Sequence, residues 1–174
     1  MLHYAALLRG INVGKHKRIA MADLRSLIES LGYSGVQTLL NSGNIAFNAD
    51  EATNAGIASR IEGAIADEFG MDVPVIVRSG AELQRIVDRN PFPERASDHK
   101  TLHVEFLETP LSTTAISAME SLDKGEDDWH LEGDTLYLAY PNKLTGATFR
   151  PNLDVQHTSR NWQTVIKLAR LTAD

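Results

Sequence analysis

The chain has 174 residues, 43% hydrophobic and 23% charged, with a formal net charge of −6 and no cysteine. This is the balance of a folded globule with room for one sizeable core or two small ones, and it excludes disorder, disulfides, thiolate metal sites and cysteine nucleophiles. No apolar run is long enough to span a bilayer, and Met1-Leu2-His3-Tyr4 lacks the basic region of a secretory leader, so no membrane partner is expected and a cytoplasmic location fits.

His3 to Leu8 reads as a buried strand. It runs into the loop Arg9-Gly10-Ile11-Asn12-Val13-Gly14 and then the basic run Lys15-His16-Lys17-Arg18. Leu24, Leu27, Ile28 and Leu31 recur at helical spacing and stop at Gly32. Val36 to Leu40 and Ile45 to Phe47 are short strands on either side of Asn41-Ser42-Gly43-Asn44, all turn formers, and the three pieces predict a hairpin. Ile57, Ile61, Ile65 and Phe69 step along one helical face as far as Gly70, and Val73 to Val77 is a further strand. The order βαββαβ is that of a ferredoxin-like unit, two helices on one face of an antiparallel sheet.

The remainder reads as a looser second copy. Ser79 and Glu82 form a capping box ahead of Leu83, Ile86 and Val87, in a helix that must end near Asn90, before Pro91 and Pro93. Leu102, Val104 and Phe106 alternate as a strand. Ser112 precedes a helix bearing Ala115, Ile116, Met119 and Leu122, and a hairpin runs from Trp129 to Tyr140. After Pro141 the pattern weakens until Thr158, which is expected to cap a last helix with Trp162, Val165, Ile166 and Ala169 as its buried stripe. The expected architecture is therefore α+β: two ferredoxin-like halves with antiparallel sheets, residues 1–90 and 91–174, with the C-terminal helix packed on the body.

Charge is distributed unevenly. Residues 9–18 carry four cations and no acid, whereas Glu120 to Asp134 carry seven acids against Lys124 alone. A net-acidic chain is a poor non-specific nucleic-acid binder, but a local basic surface can hold a small anion. The first loop is not a P-loop, which needs four residues between its glycines and Ser or Thr after its lysine; here three residues separate Gly10 from Gly14 and His16 follows Lys15. A more general nest of backbone amides remains open, beside the plainer reading of a strand-to-helix loop with solvated lysines.

Other motifs add less. Asn41-Ser42-Gly43-Asn44 offers amides and a hydroxyl but reads first as a tight turn. Arg160, placed in the first turn of the expected last helix, opposes the helix dipole and so invites an anionic partner, while Trp162 is assigned to the core. His103 and Glu105 share a strand face, and Asp127, Asp128 and His130 cluster; neither set has metal-ligand spacing, and both read as surface residues. No G-x-S-x-G elbow anchors a Ser–His–Asp triad, and the strand at Phe47 lacks the paired aromatics of an RNA-recognition domain.

Five motifs in combination carry a family resemblance: Leu7-Leu8-Arg9-Gly10-Ile11-Asn12-Val13-Gly14, Met21-Ala22-Asp23-Leu24, Asn41-Ser42-Gly43-Asn44, Asn90-Pro91-Phe92-Pro93 and Thr158 to Leu168. Together they resemble the bacterial domain-of-unknown-function family 1697 across nearly the whole chain. The resemblance implies a cytosolic α+β protein of two ferredoxin-like halves and brings no established activity. The chain departs from the family where Lys15 stands in place of a second glycine and Ala20 in place of a proline, and Lys143-Leu144 matches a family element in an irregular segment.

The sequence thus predicts a protein binding a small phosphate- or carboxylate-bearing ligand in a polar cleft. Its expected ligand-binding residues are Arg9, Gly10, Asn12, Gly14, Asn41, Ser42, Asn44, Arg160, Asn161 and Lys167, with no metal and no cofactor implied. Arginine supplies a planar fork, lysine a point charge and asparagine a paired donor and acceptor. No residue stands out as nucleophile or general base, so whether the protein is an enzyme stays open. Two other readings compete: a nucleic-acid accessory module using the basic loop with Tyr4 or Phe47, and an interaction protein whose motifs lock the halves together, with Arg160 paired to an internal carboxylate.

Overall fold

A computed structural model describes residues 1–50 and 53–173. The chain divides into two compact units, Met1–Arg85 with the residues from Lys167 onward, and Ile86–Ile166. The division falls inside a helix rather than in the proline-bearing stretch 91–100, and the last turns of the C-terminal helix belong with the first unit.

In the first unit the order is β1 (Leu2–Leu8), α1 (Met21–Ser30), β2 (Ser34–Leu39), β3 (Asn44–Ala49), α2 (Asn54–Phe69) and β4 (Val75–Ser79). The strands form an antiparallel sheet in the order β2-β3-β1-β4, with Ala6 opposite both Ile45 and Val77. Alternation places Tyr4, Ala6 and Leu8 on one face, where they join Phe47, Val75 and Val77 under Leu24 and Ile28 of α1 and Ile57, Ile61 and Ile65 of α2. Each fully buried aliphatic side chain contributes roughly 1.5–3 kcal/mol relative to exposure. Helix α2 begins where the Thr53 hydroxyl accepts the Gly56 amide and ends on Gly70 at φ 64°, a left-handed cap that suits glycine.

Helix α3 (Gly80–Asp88) opens with the expected capping box: the Ser79 amide donates to Oε2 of Glu82 at 2.7 Å and the Glu82 amide to Oγ of Ser79 at 3.3 Å. Asn54 of α2 donates to the same carboxylate at 2.8 Å. Burial works to raise the Glu82 pKa, but the hydrogen bonds from Asn54 and Ser79 and the charge of Arg78 outweigh it and hold the carboxyl below its ordinary 4.5. A Cβ on Gly80 would stand 2.1 Å from the carbonyl oxygen of Thr172, so only glycine lets the chain's last turn approach here.

The second unit repeats the plan with one element replaced. Its strands β5 (Leu102–Leu107), β6 (Asp128–Glu132), β7 (Thr135–Ala139) and β8 (His157–Asn161) lie in the order β6-β7-β5-β8, antiparallel, with α4 (Thr113–Glu120) between β5 and β6 and α5 (Trp162–Leu171) after β8. Where the first unit has α2, residues 141–156 form an irregular segment with one short helical turn, Leu144–Gly146. A buried carboxylate holds that segment in place: Oδ2 of Asp127 accepts the amides of Thr148 at 2.6 Å and Phe149 at 2.9 Å, and Phe149 stacks on Trp129. Asp127, expected at the surface, is therefore a core residue. Leu107, Leu136, Leu138 and Phe149 form the core beneath Ala115 and Met119 of α4.

The largest departure from expectation is β8. Thr158-Ser159-Arg160-Asn161 is not the cap and first turn of the last helix but a strand, paired with β5 so that Arg160 stands opposite Val104 and Thr158 opposite Phe106. The cap of α5 is instead Asn161, whose Oδ1 accepts the Thr164 amide at 3.0 Å. Among the described residues no helix is long and apolar enough to cross a membrane.

Candidate functional site

Three loops of the first unit meet beyond the end of β1. The Leu8 amide donates to Gly43 in the β2–β3 turn, the Arg9 amide to Pro74 ahead of β4, and Nζ of Lys17 to the carbonyl of Asp72, at 2.8, 2.9 and 2.5 Å. Gly43 is obligatory in this packing. At φ 80°, a Cβ there would lie 2.7 Å from Cβ of Leu8 and 2.9 Å from Cδ1 of Ile11.

Asn12 is the latch of the corner. Its Nδ2 donates to the carbonyls of Ile19 at 2.9 Å and Asn41 at 2.8 Å, its Oδ1 accepts the Ile19 amide at 2.9 Å, and its own amide donates to Lys17 at 3.0 Å. These bonds close residues 12–19 into a knuckle, narrowed further by a bridge between Val13 and His16. Such a shape requires unusual backbone. Of the four described non-glycine residues with positive φ, three are here, Asn12 at 54°, Lys17 at 50° and Leu40 at 61°, together with Gly10, Gly14 and Gly43. Leucine has no local hydrogen bond to offset a left-handed conformation, and its side chain at position 40 is 55% exposed, so burial does not compensate the strain. Strain of this kind persists where the surroundings over-determine it, and it gathers at functional sites.

The expected ligand-binding residues have separate fates. Arg9, Gly10, Gly14, Asn41 and Ser42 lie exposed at the corner, as do Lys15 and Arg18. Asn12 is committed to the backbone. Asn44 is fully buried, its Nδ2 donating to the Leu39 carbonyl at 3.0 Å and to Oγ of Ser42 at 3.1 Å, which fixes the turn from inside. Asn161 caps α5, and Lys167 is exposed on that helix.

Arg160 is only 9% exposed, and the reasoning that set it against a helix dipole does not apply on a strand. Burial pushes its pKa down to about 10, partly offset by the Glu105 carboxylate, and Nη1 donates to Oγ1 of Thr158 and the carbonyl of Ser159, both at 2.7 Å. The nucleic-acid reading loses its aromatics: Tyr4 and Phe47 are both buried, 6.1 Å apart in the core.

Two groups escaped sequence reasoning. Glu105, expected at the surface, is buried, and its Oε1 accepts from Nδ1 of His157 at 2.5 Å across β5 and β8. Burial lowers the pKa of its strand neighbour His103 below 6.5. The available signal was the position of Glu105 in mid-strand, between Val104 and Phe106, where both faces of a sheet can be covered. Arg78 in β4 is likewise buried, its Nη1 on the Val77 carbonyl at 3.0 Å. Elsewhere in the first unit a cleft of about 840 Å³ is lined by His3, Asn54, Ser79, Glu82, Arg85 and Thr172. Asn54, Ser79 and Glu82 are engaged there with one another in the α3 cap.

Comparison with known proteins agrees with this architecture. The family described as "Protein of unknown function (DUF1697)" matches residues 1–137. A search of curated proteins finds no match. Among solved structures, the conserved bacterial protein SP0830 from Streptococcus pneumoniae is similar over 99% of both chains, with a TM-score of 0.77 at 22% identity, a likeness of fold.

Proposed function

We propose, from the premise that the chain belongs to the DUF1697 proteins of unknown function, that it is a binding protein whose first-loop corner takes an anionic ligand, phosphate- or carboxylate-bearing. One observation carries the reading: Asn12 and the three-loop junction hold a strained knuckle in a fixed shape, and that knuckle exposes Arg9, Lys15 and Arg18 with no acid among residues 9–18. A preformed loop loses little entropy when it binds, so its cations can act as a site rather than as solvated chains. Arg9 supplies the fork, Lys15 and Arg18 the surrounding field, and Ser42 a hydroxyl on the adjoining turn.

The site is confined to the corner. Asn12, Asn44 and Asn161 serve the backbone and Arg160 is enclosed, so these four are engaged within their own units. Lys15 and Arg18 stand exposed on the knuckle beside Arg9. Calorimetric titration of a panel of nucleotides and phosphate-bearing metabolites tests the proposal. Wild type should give saturable heat with at least one member, and Arg9→Ala should weaken it by about tenfold or more, the value of one charge-assisted hydrogen bond. Equal affinities for the two proteins, or no heat with any compound, would overturn it.

A further inference from the structure

The corner is not purely polar. Val13 and Leu40 stand one residue to either side of the bond from Nδ2 of Asn12 to the carbonyl of Asn41, and they are 71% and 55% exposed. A free phosphate has no use for such side chains, and a concave site that enclosed its ligand would shield them. Arg9, Lys15 and Arg18 are exposed beside them, and Lys17 has its Nζ on the carbonyl of Asp72. That bond brings one acid to the corner, and against the four cations of residues 9–18 it leaves the surface basic.

Two kinds of partner can use apolar tips among cations, an acidic protein or an anionic membrane, and area decides between them. A stable protein contact takes about 800 Å² from each side. The other exposed large apolar residues of this unit, Met1 and Leu2, are at the opposite end of β1, so Val13 and Leu40 have no apolar neighbours to extend the patch to that size. A membrane needs no matching surface. Apolar tips enter the boundary between headgroups and acyl chains while cations stay at the anionic headgroups, and a knuckle already held in shape loses little entropy in doing so.

We infer that the corner docks on an anionic membrane surface, with Val13 and Leu40 entering the lipid boundary and Arg9, Lys15 and Arg18 meeting the headgroups. The inference rests on the reading of the corner as an anion-binding surface and names the source of the anion as a lipid. The sequence expectation of no membrane partner rested on the lack of a span, and a peripheral contact needs none. The net charge of −6 does not prevent it, because at physiological salt acids more than about 8 Å away are largely screened.

Co-sedimentation with vesicles of phosphatidylcholine, alone or with about a third phosphatidylserine, tests this beside a calorimetric titration with tripolyphosphate. Wild type should bind the mixed vesicles about tenfold or more tightly than phosphatidylcholine alone. Val13→Asn with Leu40→Asn should weaken vesicle binding about tenfold and leave the tripolyphosphate titration unchanged, which also establishes that this variant folds. Lys15→Glu with Arg18→Glu should weaken vesicle binding by about twentyfold or more, since each cation near such a surface is worth about fivefold, and should weaken tripolyphosphate as well. Equal binding to the two kinds of vesicle overturns the inference, as does a Val13→Asn, Leu40→Asn variant that binds vesicles like the wild type or loses both ligands together. Saturable heat from tripolyphosphate with no vesicle binding overturns the membrane contact and leaves the anion-site reading standing, whereas binding to neither removes both.

Discussion

Arg9-Gly10-Ile11-Asn12 and Ser159-Arg160-Asn161-Trp162 present the same pair of polar residue types and do opposite things with the arginine. In both, the asparagine serves the main chain: Asn12 closes the knuckle and Asn161 caps α5. The guanidinium differs. Arg160 lies on a strand opposite Val104, so sheet register draws it out of water, within the field of the Glu105 carboxylate, whereas Arg9 leaves the sheet one residue beyond β1 and stays exposed. Position relative to the sheet edge, not residue type, separates the enclosed arginine from the exposed one.

The comparison breaks first on stability. Arg160→Ala removes a buried cation, leaves the Thr158 hydroxyl and the Ser159 carbonyl without their donor and opens a cavity, a loss of about 3 kcal/mol in denaturant unfolding, whereas Arg9→Ala should stay within about 0.5 kcal/mol. Similar losses at both sites would show that the two arginines are equivalent after all. Next in size is Asn12→Ala, which deletes three side-chain hydrogen bonds and places alanine at φ 54°; about 2–3 kcal/mol should be lost by the same assay.

Glu82→Gln bears on the cap of α3, away from both arginines, and should cost about 1 kcal/mol at neutral pH. Folding lowers this carboxyl's pKa, so its contribution is complete above pH 4.5 and fades as pH falls through the lowered folded value. Unfolding curves of variant and wild type should therefore converge in acid, and a gap that persists there would count against the cap. The smallest effect has the opposite sign. Leu40→Asn relieves a leucine at φ 61° and should stabilise by about 0.5–1 kcal/mol, while removing an apolar tip from the corner. A loss of stability would mean that the exposed side chain packs in a way its accessibility hides.

Much of this was legible in the residues. The period-four isoleucines of α2, the turn formers at 41–44 and the Ser79–Glu82 box each state a local preference that the fold keeps, because none needs a distant partner. Strand β8 was not legible: it buries threonine and arginine instead of alternating aliphatics, so nothing in Thr158-Ser159-Arg160-Asn161 outweighed the resemblance to a helix cap. The corner was half legible. Its glycines and cations marked the loop, but the role of Asn12 depends on a carbonyl at Asn41, 29 residues away, and the strain at Leu40 appears only once the turn is closed.

The most direct test of the central claim is the amide NMR spectrum of the wild-type chain titrated with tripolyphosphate. Saturable shifts gathered in residues 9–18 and 40–43, with the amides around Arg160 and His157 unmoved, are the predicted result. Shifts centred on β8, or none at any concentration, would contradict the assignment of the corner as the anion-binding surface.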